Sequence, residues 1–142
     1  MENYLISVVG TQEVDGEKDS IELTCAGEYI AEGSKFTIKY KEYDDDNPEV
    51  CSLSTVEVAG DTVTVLKSGP YPSRLLLEKG RRHQCHYSTM FGDLMVGVFT
   101  DTVRSELNEK GGRLYVSYSL DFNAGLVSKN EIIINVKEKE VQ

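Results

Sequence analysis

Apolar and polar side chains alternate one by one along much of the chain. Ile21, Leu23 and Cys25 hold one phase against Glu22, Thr24 and Ala26, and Phe36, Ile38 and Tyr40 hold one phase against Lys35, Thr37, Lys39 and Lys41. Successive side chains of a strand project to opposite faces, so a period of two marks a strand buried on one side. The same signal returns over 63–67, 75–77, 94–102, 114–122 and 132–136, whereas sustained helical periodicity is absent. Only TVRSELNEK, 102–110, fits a short helical turn, with Asn108 and the Gly-Gly that follows as its stop signal.

Short turn-forming stretches separate these runs: AEGS at 31–34, AGD at 59–61, EKG at 78–80, FGD at 91–93, EKGG at 109–112 and NAG at 123–125. Strands joined by such turns, without crossover helices, predict an all-β antiparallel meander of roughly eight to ten strands. A sheet of that size must close or fold over, and closure into a barrel removes the edges that seed aggregation. The expectation is therefore one β-barrel domain over 1–142.

The order of features from Lys67 onward narrows the fold. KSG is followed by SRLLLEKG at 73–80, HYSTMFGDLMV at 86–96 and GGRLYVSYSLDFNAGLVSKNEIIINV at 111–136. That order resembles the YwiB-like family, small bacterial proteins of unknown function, mainly over 67–137. The resemblance implies a lipocalin-like (calycin) β-barrel and carries no catalytic residues with it. The chain lacks the Gly-x-Trp of true lipocalins, having no Trp at all.

Charge and cysteine usage exclude several function classes. The net charge is −9, and its excess is N-terminal, including the run Asp44-Asp45-Asp46. Such runs repel phosphate backbones, so no nucleic-acid partner is expected. The apolar run Tyr4 to Val9 is too short for a signal-peptide core, and no stretch approaches the ~20 apolar residues of a membrane helix. Cys25, Cys51 and Cys85 are odd in number and far apart, with no C-x-x-C pair. A cytoplasmic protein with no membrane association is expected.

The densest reactive stretch is RRHQCHYST, 81–89. A two-residue turn at Phe91-Gly92 would set Cys85 against Val98, Tyr87 against Val96 and Arg82 against Asp101, with His83 and His86 on opposite faces. His83 and Cys85 share a face but find no third ligand, so no metal is expected. A Cys-His hydrolase needs a base within reach and an oxyanion hole, neither of which the spacing supplies. The stretch therefore reads as a barrel strand with Cys85 and Tyr87 inside. The carboxylates are scattered, without the pairing that glycosidases need. No cofactor and no enzymatic activity are expected.

What remains is binding. SGPYPSR, 68–74, sets Tyr71 in a rigid loop of the kind that presents ligand contacts on barrels. A two-residue turn at Lys79-Gly80 would put Arg74 inside, opposite Cys85, whereas a three-residue loop would put Leu75 there and Arg74 outside. The second gathers Leu75, Leu77, Cys85 and Tyr87 on one apolar face. The expected function is non-enzymatic binding of a small, partly apolar ligand, with Tyr71, Arg74, His83, Tyr87 and Tyr118 as candidate contacts. The alternative is a structural or interaction protein with a filled barrel, acting through its outer surface or as a homodimer.

Overall fold

In the computed structural model the described residues are 4–43, 51–70, 72–89, 92–122 and 126–139, and the side chains of 87–89, 122, 126 and 127 are not described. The alternating segments form ten strands: β1 (Tyr4–Val14), β2 (Glu17–Glu32), β3 (Lys35–Tyr43), β4 (Cys51–Ala59), β5 (Thr62–Ser68), β6 (Ser73–Glu78), β7 (Arg82–Thr89), β8 (Gly92–Asn108), β9 (Gly111–Phe122) and β10 (Leu126–Glu138). Each pairs antiparallel with its sequence neighbours, and β10 returns to β1, so the meander closes into a barrel. Among the described residues no helix is long and apolar enough to cross a membrane.

The segment 102–110 is strand rather than helical turn. Its first seven residues complete β8, whose pairing with β9 extends from Val96↔Phe122 to Asn108↔Gly111. A long ladder outweighs the weak local preference of a polar nine-residue stretch. The ladder slips at Asp101, between Thr100 and Thr102. This bulge moves the buried set of β8 from even to odd positions: Val96, Val98 and Thr100 before it, Val103 and Leu107 after it.

RRHQCHYST is strand β7 from Arg82 onward, but its register differs from the expected one by two residues. Cys85 pairs with Val96, Tyr87 with Leu94, His83 with Val98 and Arg82 with Phe99. A slip of two preserves which face each side chain takes, so Cys85 is buried as expected while its partners change. Arg82 accordingly bridges to Asp121, with Nη2 2.7 Å from Oδ1, and not to Asp101. Gly97 makes room for that bridge, because a Cβ there would collide with both of its ends.

The loop between β6 and β7 has three residues, Lys79-Gly80-Arg81, with Gly80 at φ 76°. It leans on the bulge of β8, where the Gly80 amide donates to the Thr100 carbonyl (2.8 Å) and the Thr100 amide donates to that of Arg81 (3.3 Å). Ladder pairing between β6 and β7 is thereby limited to Ser73↔Tyr87 and Arg74↔His86. Leu75 and Leu77 are buried and Arg74 is exposed.

One end of the barrel is filled. Tyr29 packs edge-on against Tyr4 (centroids 5.3 Å apart) and stacks on Phe36 (6.2 Å), and its hydroxyl donates to the Asn108 carbonyl at 2.7 Å. Burial pushes the Tyr29 phenol up to about 12. Ile6, Ile38, Val58, Leu77 and Val136 lie among the buried core side chains.

Candidate functional site

The other end is open. There the inward side chains leave a cavity of about 370 Å³, reaching from Ile134 and Val56 in the core to Gln12, Asp19, Glu42 and Lys67 at the rim. Its size falls in the lower range of small-molecule sites. The walls are made by short residues in the inward phase: Val8 on β1, Val56 on β4, Val63 and Val65 on β5, Val116 on β9. Gly10 of β1 contributes no side chain, and a Cβ built on it would meet nothing within 4 Å.

Strand register arranges part of the wall, and the core it runs into at Thr100 and Val103, in two adjacent rows. Asp19 pairs with Gln12, Gln12 with Asn130, Asn130 with Tyr118 and Tyr118 with Thr100. These five residues, one from each of β2, β1, β10, β9 and β8, are all polar and form a stripe leading from the exposed Asp19 to Thr100, which is fully buried. The neighbouring row, Ile21, Gly10, Ile132, Val116 and Val103, is apolar. A polar group inside a barrel is costly unless partnered, so the stripe is a feature that folding alone does not favour. Asn130 donates through Nδ2 to Ser128 Oγ at 3.1 Å, which leaves its Oδ1 as an acceptor on the wall. Thr100 Oγ1 is buried without a partner among the described residues.

Across the cavity, Tyr40 is buried beside Ser54, and that burial, reinforced by the Glu42 carboxylate, raises its phenol well above the ordinary tyrosine range. It remains a neutral donor and acceptor at physiological pH. At the rim Lys67 Nζ sits 2.8 Å from Glu42 Oε2. Ile21 is 75% exposed although it belongs to the cavity lining.

Of the candidate contacts read from the sequence, Tyr118 lines this cavity. Arg74 is exposed on the outward phase of β6, with buried Leu75 taking the inward one. His83 is near the β6–β7 loop, at the far end, where its Nε2 lies 3.0 Å from Glu78 Oε1. Tyr87 is placed by its backbone alone, and Tyr71 lies outside the described residues. Tyr118, Arg74 and His83 are thus not brought together. Sequence reasoning missed Gly10, Gln12, Asp19, Tyr40, Ser54, Val65 and Asn130 as lining residues. The available signal was polar residues standing in the inward phase of otherwise apolar faces.

Cys25, Cys51 and Cys85 form no disulfide with one another, and among the described residues no group of His, Cys, Asp and Glu could hold a metal. His86 and Asp93 lie 3.3 Å apart on exposed side chains. Neither arrangement sets a nucleophile beside a base.

Residues 6–134 match the family described as "Domain of unknown function (DUF1934)". Over 108 residues the chain is 28% identical to the "Uncharacterized beta-barrel protein YwiB" of Bacillus subtilis (strain 168), covering 76% of this chain and 74% of that protein. The crystal structure of the ywiB protein from Bacillus subtilis is similar to the present one with a TM-score of 0.73, over 93% of this chain and 89% of that one, at 23% identity. That likeness bears on the barrel alone.

Proposed function

The chain belongs to the DUF1934 family, and we propose that it is a non-enzymatic β-barrel protein that binds one small, partly apolar molecule in the open half of its barrel. The carrying observation is the 370 Å³ cavity, open to solvent at its mouth, with an apolar row and a polar stripe side by side on its wall. A protein acting only through its outer surface gains nothing from that space, since packing it would add stability. Cysteines outside any disulfide suit a reducing cytoplasm. Lipocalin-like barrels of similar strand number hold one small ligand in the same place.

The test is a titration of methyl-labelled protein with n-octanol followed by NMR. Saturable shifts at Val8, Val63, Val65 and Leu75, with Leu53 unmoved on the outer surface, are expected. No saturable shift, or shifts confined to outer residues, would overturn the reading.

A further inference from the structure

The inward face of β2 changes character along its length. Leu23 and Ile21 continue the apolar wall, and Asp19 and Glu17, two and four residues further toward the β1–β2 turn, are carboxylates. With Asp15 in that turn, they border a second small hollow at the mouth, lined by Gln12, Val14, Asp15, Glu17 and Asp19. Lys67, the basic residue in the cavity lining, is engaged by Glu42 at 2.8 Å, and Lys18, between Glu17 and Asp19, takes the opposite phase of β2 beside Glu13, so no other basic residue of the lining answers the carboxylates of this lip. Asp19 is also the outermost member of the polar stripe, two strands from Asn130, which is more than nine-tenths buried and offers its Oδ1 as an acceptor. The stripe is rich in acceptors, with a formal charge only at its outer end.

Resting on the cavity reading above, we infer that the ligand is a cationic amphiphile: an apolar body seated against the Ile21–Ile132–Val116 row and a protonated amine held at the mouth by Asp19. The ammonium donates to the Asp19 carboxylate and gains from the charges of Glu17 and Asp15, while the deep end of the site contains no countercharge that would draw the nitrogen inside. Exposed Ile21 is explained by the same arrangement, because a ligand body reaching the mouth would cover it. A carboxylate-bearing ligand of the same length is disfavoured, since its head would meet the lip's negative charge.

Calorimetric titration with n-octylamine, n-octanol and sodium octanoate at neutral pH separates the terms. Octylamine should bind about fivefold more tightly than octanol, the scale of one partly exposed ion pair, and octanoate most weakly. In Asp19→Asn the ratio of amine to octanol affinity, measured on the same variant, should fall to about one. Added salt should shrink the advantage in the unaltered protein. Octanol binding with no preference for the amine, or a preference that survives Asp19→Asn, would overturn this inference and leave the cavity reading standing. Failure of all three to bind would overturn both.

Discussion

Cys85 is the residue whose replacement most directly probes the seam between β6 and β7. Its side chain is 6% exposed, and Sγ accepts the Leu76 amide at 3.4 Å where the ladder between the two strands has stopped. Cys85→Ala removes a buried sulfur, worth on the order of 1 kcal/mol of transfer free energy, and leaves a partly buried amide without its acceptor, which costs about 1–2 kcal/mol more. The expected loss is therefore about 2–3 kcal/mol. Cys85→Val restores the volume without the acceptor and should recover roughly the first of these contributions, about 1 kcal/mol. Urea unfolding followed by circular dichroism gives both values. In the folded protein a thiol reagent should modify exposed Cys51 rapidly and Cys85 only at the rate of opening. A Cys85→Ala loss below about 0.5 kcal/mol, the ordinary surface range, would refute the seam argument. Labelling of Cys85 as fast as Cys51 would do the same.

Other positions give independent checks. A Cβ on Gly27 would collide with Ile6 Cδ1 and the Lys39 carbonyl, where β2 parts from β3, so Gly27→Ala should lose about 1–3 kcal/mol in the same urea assay. Tyr29 and Tyr40 have raised phenol pKa values in the folded protein, so between pH 10 and about 12 the unfolded chain loses protons that the folded one keeps. Stability should be unaffected by these groups below pH 10 and decline above it. Thermal melts against pH, with tyrosinate absorbance, read both effects, and a constant melting temperature through that window would contradict the burial argument.

The architecture was legible because a period of two is dictated by strand geometry and the turn residues punctuate it. Faces were legible for the same reason: Cys85, Val96 and Val98 turn inward in either of two registers separated by two residues. Which register is adopted was not, because the Gly92 that seemed to belong to the turn instead starts β8, at φ 117°. The partner of Arg82 was lost with it, since Asp121 comes from β9, beyond the reach of a hairpin argument. The bulge at Asp101 was equally invisible: it answers to the Lys79–Arg81 loop, a contact between segments twenty residues apart. The cavity was hidden for a related reason. It depends on which small inward residues, such as Gly10, Val63 and Val65, face one another across the barrel, and alternation says nothing of that. Attention to reactive residues in 68–89 drew Arg74 and His83 into the candidate set, and both lie outside the cavity.

Gly10→Phe tests the central claim most directly. The glycine lies in the middle of β1 with open space where a side chain would point, so an aromatic ring should enter the cavity without displacing a neighbour. Octanol affinity, measured by calorimetry, should fall at least about tenfold, or ~1.4 kcal/mol. The variant should melt no lower than the parent, because a ring in an empty apolar space adds contacts and removes a flexible glycine from a strand. Undiminished octanol binding by a folded Gly10→Phe protein would contradict the account, because it would place the ligand somewhere other than the barrel interior.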